Sequence, residues 1–347
     1  MNRSLFLVLA SLAASVACTH AAESTDDDNA IVDEALVSQL NALGAPAALG
    51  LTSTAKEAMP REVQAYLDMQ QWGQHHLEWH TTRQWDRLGL QGQKWARQQG
   101  WARATVQEGE KNNGLEFLAM HHVMFNTLRK QFPNQADKFK GWEPIPRDPR
   151  DPAWPVLDRS LQTPMAATAI KALDLLANLA PEAKPGVGLA GFATDDELGL
   201  FLETTARPRG VVVPANAGTH NYLHGRFSRQ GSDVDMGDPA LNLKNQYFWK
   251  LHGFIENTWL SYRKVKGRTE VDSAQAEPLL KQYLAAGDAH MNRPASRGLE
   301  TAPHHADALG VGAAPGQSPL DQLRKLARRD FIADVAQADA ASAEDDE

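Results

Sequence analysis

His76 and His80 stand four residues apart within "HHLEWH" (75–80), and His220 and His224 repeat that spacing within "HNYLH" (220–224). Four residues is just over one helical turn, so each pair projects from one face toward a common point. A later helical stretch supplies each pair with a further histidine in apolar company. "LEFLAMHHVMF" (115–125) carries His121 and His122, and "YFWKLHGFIENTW" (247–259) carries His252. The organisation is the same twice: a pair, a loop, then a single. His76, His80 and His121 form one trio and His220, His224 and His252 the other, which is three imidazoles for each of two metal ions. The register also admits His75 in place of His76 and His122 in place of His121.

The ligand type narrows the metal. Neutral imidazole suits copper, zinc, iron and nickel, whereas magnesium and calcium call for oxygen ligands. Di-iron bundles need a glutamate three residues before a histidine, and none of the six has one. Glu78 lies between two of the candidate ligands and points elsewhere. Copper is the leading choice and zinc the second.

The same stretches resemble the copper-binding helices of the type 3 (binuclear) copper proteins, in particular the arthropod hemocyanin and prophenoloxidase branch, and with them the tyrosinases. In that family the first site opens with a His-rich His-x-x-x-His, as "HHLEWH" does, and its third ligand follows an aromatic and a methionine, as His121 follows "FLAM". The second site opens with His-Asn, here His220-Asn221, and closes in a helix similar to "FWKLHGFIEN" (248–257). The similarity covers about residues 70–265. It implies two copper ions, dioxygen, and a small phenolic substrate that is hydroxylated or oxidised. It further implies that Asn221 and a glutamate before the second site hold a water that accepts the phenolic proton. Glu203, seventeen residues before His220, stands where that glutamate is expected. The thioether cysteine of fungal and molluscan relatives has no counterpart.

Helical elements must carry these ligands. Residues 60–105 have helical spacing, with Val63, Tyr66, Leu67, Trp72, Trp79, Trp85 and Trp95. Leu115–Phe132 reads as an apolar helix closed by Pro133, and further helices are expected over Met165–Leu179 and Leu243–Val265. Thr219 is the expected N-cap of the "THNYLHGRFS" helix. A short helix is expected over Glu34–Leu51, and an extended segment over Gly210–Ala217. "WEPIPRDPRDPAWP" (142–155), with five prolines, must be irregular. Glu256 and Asn257, one turn beyond His252, are candidates to orient ligands, and Phe248, Trp249, Phe254 and Trp259 to pack around them.

Composition sets the limits. A chain of 347 residues with 42% hydrophobic content buries a sizeable core. A net charge of −8 without a concentrated basic stretch disfavours a nucleic-acid partner. Arg3 followed by "LFLVLASLAASVA" reads as an export signal over 1–21, too short for a good membrane span. The single cysteine, Cys18, closes "ASVAC" in the pattern of a bacterial lipoprotein signal; cleavage after "THA" is the other reading. Residues 22–59 form an acidic linker and a short helix, 60–270 the metal-bearing domain, and 271–347 a partly disordered C-terminal extension ending in "ADAASAEDDE".

The expected protein is mainly all-α, with an antiparallel four-helix-bundle core holding a binuclear metal site between long loops. It is exported, to the periplasm, the outer membrane or the medium, and Cys18 offers membrane attachment by lipidation. Its expected activity is copper-dependent oxidation of phenols with dioxygen. A dioxygen or copper carrier without turnover, and a zinc-binding or structural helical lipoprotein, are the two alternatives.

Overall fold

Proline and apolar spacing set the first helix of the described residues. Helix α1 (Arg61–Met69) starts directly after Pro60 and buries Val63 and Leu67, four residues apart on one face. Helix α2 (Trp72–Arg83) carries "HHLEWH" and is buried almost all round, including Trp72, His75, His76, Leu77, Trp79 and His80. Such burial on every side marks a helix inside the core rather than on its surface. The stretch with helical spacing over 60–105 thus resolves into α1, α2, a 3-10 turn at Trp85–Leu88 and α3 (Gly89–Gln98).

Helix α4 (Asn113–Gln131) ends at Phe132, because the Pro133 ring cannot continue the backbone ladder. It is followed by α5 (Ala167–Ala177), α6 (Asp195–Glu203), α7 (Thr219–Arg226), α8 (Gln246–Val265) and α9 (Pro278–Met291). A further helix, α10, runs over 319–328.

This computed structural model describes residues 56–155, 163–179, 188–203, 218–293 and 318–328. The export signal with Cys18, the Glu34–Leu51 helix, the Gly210–Ala217 segment and the tail with "APHHADA" and its acidic end lie outside them. Among the described residues the protein is all-α, without a strand and with a single isolated bridge pair, Ala58 with Asn245. No helix among them is long and apolar enough to cross a membrane.

Helix α4 is the hub, packing most extensively against α6 and α9 and also against α8. Its approach to α6 depends on two facing glycines. A Cβ on Gly114 would meet the Asp196 carbonyl oxygen at 2.2 Å, and one on Gly199 would meet the Gly114 carbonyl oxygen at 2.1 Å. The core is aromatic, with Phe117, Phe125, Phe248, Trp249 and Trp259 fully buried. Burying each such side chain contributes roughly 1.5–3 kcal/mol.

Two helix starts differ from the sequence expectation. Gly218, not Thr219, caps α7: it adopts a left-handed conformation (φ 89°), and its N–H donates to the Phe201 carbonyl at 2.8 Å. Thr219 is already helical, and its buried hydroxyl finds no hydrogen-bond partner among the described residues. Helix α8 starts at Gln246 rather than Leu243, because the Asn245 side chain accepts the Tyr247 N–H at 2.9 Å and so caps it. Leu243 belongs to the preceding 3-10 turn, Asn242–Lys244.

Candidate metal centre

Four helices bring the six predicted histidines to one place: α2 supplies His76 and His80, α4 His121, α7 His220 and His224, and α8 His252. Their relative exposures are all between 0 and 5%. Two three-histidine groups, His76/His80/His121 and His121/His220/His252, have ring nitrogens within 4.8 Å of one another and can hold metal ions. His121 belongs to both. The sequence reading assigned it to the first trio alone, but its ring stacks on His252 at 4.3 Å between centroids. His224 lies beside the second group, 4.5 Å from His220 and 5.2 Å from His252 by ring centroid.

Each unit orients its single histidine with the same local device. The His121 Nδ1–H donates to the carbonyl of Phe117, four residues earlier in α4, at 2.9 Å. The His252 Nδ1–H donates to the carbonyl of Phe248, four residues earlier in α8, also at 2.9 Å. Both phenylalanine rings then pack on the imidazole they orient, Phe117 at 4.6 Å and Phe248 stacked at 3.8 Å. The paired histidines use other acceptors. His76 Nδ1–H donates to the Pro239 carbonyl at 2.9 Å and His224 Nδ1–H to the Met236 carbonyl at 2.6 Å. His220 Nδ1–H donates to the Asn221 side-chain oxygen at 2.8 Å.

Five of the six imidazoles therefore keep their proton on Nδ1, which leaves Nε2 as a lone pair. Those lone pairs converge. His220 Nε2 and His252 Nε2 are 3.1 Å apart, and His76 Nε2 and His80 Nε2 are 3.2 Å apart. His121 Nε2 is buried and meets no hydrogen-bond donor. The His220–His252 pair sets two acceptors in contact, which repel unless a cation lies between them, whereas a proton on His80 Nε2 would make the His76–His80 contact a hydrogen bond. Nitrogens bound to one ion at about 2.0 Å each stand at most about 4 Å apart, so both separations suit a shared ion. The donor set fits a metal that favours imidazole.

Protons are poor substitutes for that cation. Burial, reinforced by neighbouring imidazoles, holds His80, His121, His220 and His252 well below the usual histidine range. Burial likewise pulls His76 down to about 3 and His224 down to about 4. The ligand set is thus neutral and ready for metal at physiological pH.

The alternative registers point elsewhere. His75 Nδ1–H donates to the Met291 carbonyl at 3.1 Å, so this ring faces α9. His122 turns away from the cluster and bonds the Glu256 carboxylate through Nδ1 at 2.6 Å, with Asp272 at 3.1 Å from Nε2. Glu256 accordingly orients His122 and not the neighbouring His252, because successive turns of α8 face different partners. Glu78 also points away from the cluster, and pairs with Arg293.

The carboxylate that reaches Asn221 is Glu108, which sequence reasoning passed over. The Asn221 amide N–H donates to Glu108 Oε1 at 3.3 Å, and Gln84 holds Oε2 at 2.6 Å. A chain of contacts thus runs from Glu108 through Asn221 to His220. Glu203 is buried, and one of its carboxylate oxygens, Oε2, has no hydrogen-bond partner among the described residues. Burial, and then the negative charge of Glu108, pushes its carboxyl well above the usual range, so the neutral acid is favoured. Glu108 lies in a loop without helical spacing, and no motif marks it. The Phe-x-x-x-His repeat at 117–121 and 248–252, by contrast, was visible in the sequence as a signal for the two single ligands.

No protein-family model matches this chain, and no curated protein matches it.

Proposed function

We propose that this protein is a binuclear copper oxidoreductase of the type 3 kind, which uses dioxygen to hydroxylate or oxidise small phenols. The observation that carries the reading is the set of six buried imidazoles, five with Nδ1–H committed to oxygen acceptors and their Nε2 lone pairs turned inward. Sequence order supports it too: pair, single, pair, single, on four helices delivered to one point as in a bundle. His76, His80 and His121 would hold one copper, and His220, His224 and His252 the other, with His121 close enough to serve either group. Bound there, the copper pair would supply the redox equivalents that couple dioxygen to phenol oxidation.

The chain's own residues do the rest. Phe117, Phe248 and Trp79 line the imidazoles within 4.9 Å and keep water from their nitrogens. Asn221 holds His220 in one tautomer. Glu108, fixed by Gln84 and Arg87, is the carboxylate placed to take a phenolic proton beside that histidine. Glu203, kept protonated by burial and by the Glu108 charge, already holds its own proton and leaves Glu108 as the base. In this reading the protein is exported, with lipidation at Cys18 or cleavage after Ala21.

A second reading, a dioxygen or copper carrier without turnover, draws support from the deep burial of all six histidines. Copper content followed by a phenol-oxidation assay separates the readings. About two coppers per chain with quinone formation supports the enzyme, and two coppers without it the carrier. One zinc ion, or no metal, overturns both.

A further inference from the structure

Two of the six imidazoles depend on a loop rather than on a helix. The carbonyls of Met236 and Pro239 accept the Nδ1–H of His224 and His76, one histidine from each pair. The loop that presents those carbonyls is itself held by two buried aspartates. Asp235 Oδ1 accepts the Arg229 and Gly237 N–H groups at 2.8 and 3.0 Å and the Ser228 hydroxyl at 2.9 Å. Asp238 Oδ1 accepts the Ala240 N–H at 2.9 Å.

The outer oxygens of both aspartates face α10. Arg324 donates through Nε and Nη2 to Asp238 Oδ2 at 2.9 and 2.7 Å. Arg328 donates through Nε to Asp235 Oδ2 at 2.9 Å and through Nη2 to the Ser228 hydroxyl at 2.7 Å. Just before Arg324, Leu323 is fully buried in a cluster with Leu77, Trp85 and Trp101, so α10 also rests against α2. From the other direction α2 presses directly on the loop: a Cβ on Gly73 would meet the Ala240 carbonyl oxygen at 2.2 Å. The loop is caught between the helix that bears His76 and a helix from the far C-terminal part of the chain.

We propose that Arg324 and Arg328 are positioning residues of the metal centre, clamping through Asp238 and Asp235 the loop whose carbonyls aim His76 and His224. Outer-shell partners that fix a ligand's tautomer and ring direction tune metal affinity by roughly 10–100-fold each. The C-terminal helix is thereby part of the metal site, although none of its residues touches a ligand. This inference rests on the metal-centre reading above.

The test uses the full chain loaded with copper(I), its affinity measured by competition with a chromophoric chelator well below the unfolding temperature. Arg324→Ala/Arg328→Ala should bind copper about 10–100-fold more weakly than the parent while its far-ultraviolet circular dichroism stays unchanged. Arg324→Lys/Arg328→Lys, which keeps both charges, should recover most of that affinity. A double alanine variant that loses thermal stability but binds copper as tightly as the parent overturns the clamp and leaves the metal centre standing. A parent protein that takes up no copper overturns the metal-centre reading, and the clamp with it. Should the double variant lose its helical signal, the single alanine variants are judged by the same affinity criterion.

Discussion

His220 and His252 meet Nε2 to Nε2 at 3.1 Å while each gives its Nδ1 proton away, to Asn221 and to the Phe248 carbonyl. Neither nitrogen facing the other then carries a hydrogen, and burial holds both rings neutral. Such a contact costs the protein energy until a cation fills it. The fold tolerates the cost because both side chains are locked from behind, as the partners of metal-ligating histidines lock theirs.

Neighbouring histidines on α4 should behave in opposite ways. His121→Ala removes a nitrogen common to both three-histidine groups and should cut metal uptake at both. His122→Ala should leave metal content unchanged but lower stability by about 1–3 kcal/mol, since Glu256 would lose its hydrogen bond and keep only Arg129, 4.0 Å away. Metal analysis and denaturant titration of the two variants check this; equal metal loss in both would contradict the assigned register.

Asn221→Ala should weaken metal binding by roughly 10–100-fold, because His220 would lose the acceptor that keeps its proton on Nδ1. Glu108→Gln keeps the shape but removes the negative charge behind Asn221. It should lower the rate of phenol turnover more than it lowers metal affinity. Copper titration and steady-state kinetics separate the two effects, and an affinity loss in Glu108→Gln equal to that in Asn221→Ala would refute the distinction.

Glu203 should impose an alkaline cost. Its folded pKa lies above the ordinary value of 4.5, so its neutral form stabilises the fold at low pH, and that contribution is lost as pH rises through the folded pKa. Glu203→Gln, which is neutral at every pH, should raise the melting temperature at pH 8–9 and change it little at pH 5. A Glu203→Gln protein less stable at pH 8 would show that the carboxylate is ionised and paired.

The metal-free protein should lose stability on the acid side. His76 and His224 titrate near 3 and 4 when folded but near 6.5 when unfolded. The unfolded chain therefore binds more protons between those values, and stability falls as pH drops from about 6.5 toward 4. Urea midpoints of the metal-free protein at pH 7.5, 6 and 5 should decrease in that order; a flat series would mean that these rings are not buried as neutral imidazoles.

The clustered histidines were legible because helical geometry turns spacing into direction. A His-x-x-x-His pair has few ways to point, and apolar runs such as 115–125 and 247–259 had to be buried helices. The residues that aim the ligands were much less legible. Met236 and Pro239 act through backbone carbonyls, which leave no mark in side-chain type, and Glu108 reaches Asn221 only because the chain folds back across 113 residues. Glu203 was located by its distance from His220 in the chain; it is buried within reach of the Glu108 charge, and the carboxylate that Asn221 bonds is Glu108. The helix at 319–328 follows a Gly- and Pro-rich stretch, and its docking is decided by Asp235, Asp238 and Leu77, all distant in sequence.

The most direct measurement is metal per chain. Full-length protein reconstituted with excess copper(I), freed of unbound metal and analysed by mass spectrometry, should retain about two coppers, three imidazoles being available for each. His252→Ala should retain less. A parent chain that retains no copper, or one that holds as much after His252→Ala as before, would contradict the convergence of these six histidines on a metal pair.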